Sequence, residues 1–484
     1  MGITILIIIG IYFSILMLIS HLVGRGHSDN DAFFIGNRQS PWYIVAIGMI
    51  GASISGVTFI SVPGMVGQFD MTYLQMVLGF IPGYFFVAYV LLPIYYRLNL
   101  ITVYGYLDQR FGTYSYKTGA SFFILSRVVG SAAKLYLVAL ILQALVFDQW
   151  GIPFYVSVSG IILFIWLYTQ RSGIRAIVWT DALQTICLSV ALILIIYKVI
   201  SGLDMDFPDL VKTVAANEHS RIFVFDDWIS KQNFFKQFFS GILIVIVMTG
   251  LDQDMMQKNL SVPNLKDSQK NMISYGIAFT PLNFLFLVLG ILLLLYASQY
   301  SIVLPAKSDE ILPLLATQYL GIPVLICFTI GIIASSFSNT DSALASLTTT
   351  ICVDLLNINR NDAPKAKRTR QWVHLLVCVL FLMFILIIHH VGQNNILDTI
   401  YKAASYTYGP LLGMFFVGLF TKVRLRDKLV PLICILAPLS SFALEFLLRH
   451  SFSYSVGYEI LLFNGLITAF GLWCISVRNE RLRS

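Results

Sequence analysis

The sequence predicts an all-α integral membrane protein of about thirteen transmembrane helices. Three observations predict it. Hydrophobic residues make up 57% of the 484 and charged residues only 12%, where a soluble chain carries roughly 25% charged residues. Apolar segments near the roughly 20 residues that a bilayer crossing requires recur along the whole chain. The cations fall in alternate loops, as membrane topology demands.

The apolar segments run over residues 2–23, 42–69, 72–96, 118–147, 152–169, 174–200, 233–257, 270–300, 322–357, 369–391, 395–420, 429–448 and 456–477. The first is apolar from its second residue and lacks a basic leader or a small-residue cleavage site, so it reads as a retained span. One set of loops and tails, from Arg25 and Arg38 to Arg478, Arg481 and Arg483, holds 22 of the 32 Lys and Arg. It includes Lys258, Lys266 and Lys270, and Arg360 with its neighbours. The opposite set holds about seven, and its largest loop, 201–232, is acidic. The positive-inside rule then puts the N-terminus outside and the C-terminus in the cytoplasm of a plasma (inner) membrane protein. Thirteen crossings require that same asymmetry. Short helices are expected in the loops around Pro208–Ala216 and Asp309–Tyr319.

Polar groups inside hydrocarbon persist where they line a cavity or bind something. The second segment reads GMIGASISGVTFISVPG, and its small and hydroxyl residues weaken the helix at its middle. Backbone carbonyls freed there could face a cation. The fourth segment carries Arg127 and Lys134. The sixth places Asp181 two turns inside one end, with a cation, the ninth-segment hydroxyls or Arg175 as its candidate partners. The seventh ends MTGLDQDMMQKNL, where Gly250 interrupts the apolar run before Asp252, Gln253 and Asp254. Interrupted helices at corresponding places in two halves are the best sequence pointer to a transporter site. In the ninth, Ser335, Ser338, Asp341 and Ser342 share one helical face. Such a run of oxygens suits a hard monovalent cation. Lys402 in the eleventh is a candidate partner of Asp341.

Other functions find little support. The cations sit at segment ends rather than in a nucleic-acid-binding patch, and the six cysteines are scattered singly, without disulfide or zinc spacing. An intramembrane enzyme would need a His-Glu motif, paired catalytic aspartates or a Ser–His dyad in mid-span, and none is found. A transporter-like solute sensor would need an appended domain, and few residues follow Arg478.

Four motifs in order carry a resemblance. They are PIYYRLNLITVYGYLDQRFG (93–112), SGIRAIVWTDALQ (172–184), GLDQDMMQKNLSVPNLKDSQK (250–270) and YGPLLGMFFVGLF (408–420). Together they resemble the sodium:solute symporter family, with Ser172 replacing the first glycine of its G-G-x-x-A-V-x-W-T-D pattern. The resemblance implies a LeuT-type fold with a 5+5 inverted repeat and extra helices. Residues 1–41 would form the first span and an inner loop, 42–201 the first five-helix repeat, and 202–232 an outer loop. Residues 233–420 would form the second repeat and 421–484 two further spans with an inner tail.

The same resemblance implies a sodium site, Na2, from the carbonyls of Gly51, Ile54 and Ile332 and the hydroxyls of Ser335 and Ser336. Some relatives hold a second sodium, which here would fall to Asp181, Ser338 and Asn339 together with Ser335. Asn339 stands where two-sodium members carry serine, so one sodium per cycle is expected. The solute would meet Ser55 and Thr58, with Gln75, Lys134, Asp252, Gln253 and Tyr406 as further candidates. The expected function is import of a small polar solute with Na+ by alternating access, the solute being a sugar, an acidic sugar or another small organic acid. A proton in place of sodium is the alternative.

Overall fold

A computed structural model describes residues 2–24, 30–358, 363–391, 396–452 and 456–477. Arg25, Arg360, Arg478, Arg481 and Arg483 of the topology argument lie outside them. Among the described residues, nine helices are long and apolar enough to cross a bilayer. Two bent pairs form one span each, and the shorter apolar helices Phe154–Gln170 and Ile460–Cys474 occupy the two remaining predicted positions.

In chain order the spans are Gly2–Gly24 (span 1), the pair Trp42–Ser53 and Gly56–Gly64 (span 2), Tyr73–Arg97 (span 3) and Thr113–Leu142 (span 4). Phe154–Gln170 and Gly173–Gly202 follow as spans 5 and 6. The pair Phe234–Gly250 and Gln253–Leu260 makes span 7, Leu265–Gln299 span 8, and Gly321–Leu355 span 9. Spans 10 to 13 are Ala363–Val391, Ile396–Phe420, Val430–Phe452 and Ile460–Cys474. Both loop helices are present, as Phe207–Ala216 and Ile311–Gln318. A two-stranded antiparallel pairing of Arg424–Leu425 with Ser476–Val477 ties the loop after span 11 to the end of span 13.

Spans 5 and 6 are separated only by a sharp turn at Gly173, whose φ of 51° and ψ of −141° are glycine's territory. A Cβ there would meet the Phe33 backbone at 2.6 Å. This is why glycine holds that place while its neighbour can be Ser172. The turn seats the short helix Asn30–Ile35 against the pair of spans 5 and 6.

The interior is polar where span 9 passes through it. Every residue from Gly331 to Thr350 is buried, including Ser335, Ser336, Ser338, Asn339, Asp341 and Ser342. Span 9 packs on spans 5 and 6 and on span 4, span 7 packs on span 3, and span 2 lies between spans 6 and 8. Leu18, Ile193, Leu439 and Phe442 are among the large apolar side chains turned outward, as lipid contact requires.

Candidate functional site

The break in span 2 bends its two halves by 58°. Ile54 (φ −83°, ψ 91°) and Ser55 (φ −77°, ψ 167°) leave the helical region. In a continuous helix the Thr58 amide would go to the Ile54 carbonyl; here it goes to the Ser55 hydroxyl at 3.4 Å. Ser55 thus caps the second half-helix and leaves the Ile54 carbonyl without its helical partner. Gly51 lies on the first half, its amide donating to Thr185 Oγ1 at 3.0 Å.

Span 9 faces this break. A Cβ at Gly56 would collide with Ser336 Oγ and would reach Ser335 Oγ at 3.5 Å. Only a glycine lets the two hydroxyls approach so near. Ser335 donates to the Ile332 carbonyl at 3.0 Å. The buried Ser336 hydroxyl has no hydrogen-bond partner among the described residues. A buried hydroxyl left unpaired costs about 1–3 kcal/mol, and that cost disappears when a cation takes its oxygen. The break in span 2 thus meets Ser335 and Ser336 of span 9 at Gly56, with the Ile332 carbonyl already taken by Ser335.

Beside this cluster is a cavity of about 90 Å³. Ser53, Ser55, Thr58, Thr249, Lys134 and Arg127 line its polar side, and Phe80, Tyr84, Tyr275 and Phe279 its aromatic side. Lys134 Nζ donates to Asn339 Oδ1 at 3.2 Å. Lys134 makes no ion pair among the described residues. Ser53 and Tyr275 share a hydrogen bond of 2.5 Å, and Tyr84 donates to Tyr275 at 2.9 Å. The aromatic residues escaped the sequence analysis because an aromatic in a lipid-spanning helix has no signal separating cavity from core.

The break in span 7, bent by 62°, is of another kind. Asp252 caps the second half, Gln253–Leu260, by accepting from the Asp254 amide at 2.9 Å and the Met255 amide at 3.3 Å. Its carboxylate also takes the Tyr408 hydroxyl and lies 3.6 Å from Arg127, which pairs with Asp254 as well. Tyr95 donates to the Gly250 carbonyl at 2.9 Å and Tyr104 to the Leu251 carbonyl at 3.0 Å. Little at this break remains for a ligand.

Four predicted solute contacts accordingly stand apart from the cavity. Asp252 is consumed as described. Gln253 accepts from the Val103 amide at 2.9 Å and donates to the Ile101 carbonyl at 3.1 Å, holding the loop after span 3. Gln75 donates to the Thr72 and Gln232 carbonyls and accepts from the Val224 amide, pinning the loop 201–232. Tyr406 bonds Glu445 on span 12. The neighbour that does reach span 7 is Tyr408. Lys402 and Asp341 are also not brought together as a pair: Lys402 lines a second cavity of about 240 Å³ with Ser61, Tyr73, Lys231 and Asp309. Asp341 instead accepts from Tyr168 at 2.9 Å.

Asp181 is fully buried, and its partner is Lys258 rather than Arg175, with Nζ 2.7 Å from Oδ2. Ser338 donates to Asp181 at 2.7 Å and Ser342 at 3.2 Å. Lys258, counted with the inner loops by charge, is only 1% exposed. Asn339 turns to Lys134 and not to Asp181, because one step along a helix rotates it about 100° from Ser338.

Residues 33–426 match the sodium:solute symporter family. The chain belongs to that family. As a sodium:solute symporter it is a multi-pass membrane transporter that couples sodium to a solute, and not an enzyme. It is 22% identical over 429 residues to the sodium/sialic acid symporter SiaT of Proteus mirabilis, covering 85% of this chain and 83% of that protein. It is 24% identical to the sodium/sialic acid symporter NanT of Aliivibrio fischeri, covering 85% and 82%. Among solved structures, a substrate-bound, outward-open Na+-coupled sialic acid symporter superposes with a TM-score of 0.83. The identity there is 20%, over 97% of this chain and 96% of that one. The symporter fold expected from the motifs, of LeuT type, is the fold of this chain.

Proposed function

We propose that this symporter imports a small organic carboxylate together with one sodium ion. The observation that carries the reading is the Lys134 ammonium, lining the central cavity without an ion pair, a few residues from the break that Ser335 and Ser336 face. A cation without an ion pair in a cavity favours an anionic ligand. The similarity to two sodium/sialic acid symporters supports this, since sialic acid is an acidic sugar.

The sodium is held by the carbonyls of Gly51, Ile54 and Ile332 and the hydroxyls of Ser335 and Ser336, joining span 2 to span 9. Sodium shifts the carrier toward the conformation in which these two spans are clamped, since an ion moves an equilibrium only by its differential affinity. The solute then docks against Ser55, Thr58 and Lys134. If the carboxylate enters with one sodium, the pair is neutral and the chemical sodium gradient drives import.

The two broken spans open two five-helix sets, 42–201 and 233–420, that move as inverted repeats. The loop charges support an N-terminus outside and a C-terminus in the cytoplasm of the plasma membrane. The test is the thermal midpoint of detergent-purified protein in sodium against potassium chloride at equal ionic strength. Sodium should raise it, and sialic acid or lactate should raise it further only when sodium is present. Lys134→Met should abolish the carboxylate shift and leave the sodium shift. A carboxylate shift that survives Lys134→Met sinks the solute reading; a midpoint that follows pH but not sodium sinks the ion reading.

A further inference from the structure

A groove at the start of span 6 shares no residue with the central cavity. Leu22 and Val23 from the end of span 1, Gln39 and Ser40 from the turn before span 2, and Arg175 and Trp179 from span 6 line about 370 Å³ there. The fold fixes its walls. Ser20 donates to the Tyr168 carbonyl at 2.8 Å and fastens span 1 to span 5. The turn is drawn close to span 6 at Gly36, where a Cβ would stand 3.6 Å from Ile174 Cγ2. The Ser40 amide donates to the Ser261 carbonyl at 3.0 Å. Arg38 turns elsewhere and donates to the Leu100 carbonyl at 3.2 Å. Arg175 is therefore the cation of this groove, and no carboxylate lines it among the described residues. Asp181 has gone to Lys258, and the buried Nη1 of Arg175 has no hydrogen-bond partner among the described residues. A buried donor without an acceptor is costly, and an anion entering the groove removes that cost.

We propose that this groove binds the phosphate of an anionic phospholipid, with Arg175 as its principal contact. A guanidinium presents parallel N–H donors that match two phosphate oxygens. The Gln39 amide, the Ser40 hydroxyl and the Trp179 indole stand around it as neutral donors. The level in the membrane also fits. Arg175 stands two residues after the Gly173 turn, at the very start of span 6, and Trp179 follows one helical turn deeper on the same face. A cation at the headgroup level with an indole beneath it is the order that a membrane interface favours. Basic pockets between spans are where anionic headgroups bind. Beneath the groove, Leu18 and Leu22 of span 1 and Ile186 of span 6 are exposed and offer apolar surface to acyl chains. A free phosphate ion would gain the guanidinium but none of that surface. Arg175 falls on an unspecified position of the family's G-G-x-x-A-V-x-W-T-D pattern, so the charge is this chain's own addition to the motif.

The test is native mass spectrometry of the purified full-length carrier mixed with equimolar phosphatidylglycerol and phosphatidylcholine of identical acyl chains. For the most tightly held lipid, the wild type should prefer phosphatidylglycerol by about fivefold, the share of one basic residue at a charged headgroup. Arg175→Gln should bring that ratio close to one. Arg175→Lys, which keeps the charge and loses the planar fork, should retain part of it. Gln39→Glu sets a carboxylate beside the guanidinium and should erase the preference with Arg175 still in place. Gln39 is exposed, so this variant decides the matter even where Arg175→Gln is not recovered folded. Inorganic phosphate at millimolar concentration should leave the bound lipid in place. A preference that survives in Gln39→Glu and in folded Arg175→Gln overturns the site, and so does a wild type that holds both lipids equally. Displacement of the lipid by inorganic phosphate would make the groove a site for a soluble anion and overturn the lipid assignment.

Discussion

Spans 2 and 7 are both broken near their middles, by 58° and 62°, yet their interiors are finished in opposite ways. At the span 2 break the cap is the neutral hydroxyl of Ser55, and across from it Ser336 has no partner among the described residues. At the span 7 break the cap is a carboxylate, and Arg127, Tyr95, Tyr104 and Tyr408 take up the charge and the carbonyls. A break in a membrane helix exposes backbone groups that lipid cannot satisfy. The protein can satisfy them with its own side chains and obtain a fastened joint, or leave oxygens open and obtain an ion site. Span 7 takes the first course; in the function proposed above, span 2 takes the second.

The largest effect that would test this contrast is expected from Asp252→Ala. It strips the span 7 cap and leaves buried Arg127 with one of its two carboxylates. Losing one partner of a buried charge network costs about 3–5 kcal/mol. The thermal midpoint should drop equally in sodium and in potassium; a drop confined to sodium would place the ion at span 7 and undo the comparison. Ser336→Ala should act in the reverse manner. It should remove the sodium-specific stabilisation, about 2.7 kcal/mol at a hundredfold excess over Kd, with the midpoint in potassium little changed.

Smaller effects sharpen the distinction. Tyr104→Phe leaves the Leu251 carbonyl unpaired and should cost about 1 kcal/mol, with sodium affinity untouched in a titration of the midpoint. Ser55→Ala also removes a cap worth about 1 kcal/mol, but its signature differs. The Thr58 amide is released to the Ile54 carbonyl, so sodium affinity should fall together with stability. Equal sodium affinities in Ser55→Ala and the wild type would mean that the Ile54 carbonyl is no ligand.

Much of this arrangement is legible along the chain. Gly-Ala-Ser-Ile-Ser-Gly in span 2 and Thr-Gly-Leu-Asp in span 7 announce breaks, because glycine and capping residues act on their own neighbours. The stripe of hydroxyls on span 9 shows the side turned inward, since helical periodicity is also local. Gln75, Gln253 and Tyr406 were misplaced for a single reason. A polar side chain in a span must be satisfied, but the satisfying groups (Val224, Val103 and Glu445) lie 149, 150 and 39 residues away.

The sequence by itself determined the membrane, the family motifs, the two breaks and the oxygen-rich face, all of which depend on composition or on residues within a turn or two. Only the tertiary structure decided which oxygens stay free. It sent Arg127 to Asp252 and Asp254, Lys258 to Asp181, and left Lys134 without an ion pair among the described residues. Those three cations look alike on paper. Their roles differ because a buried charge is defined by the partner that compensates it, and that partner is chosen by how distant spans pack.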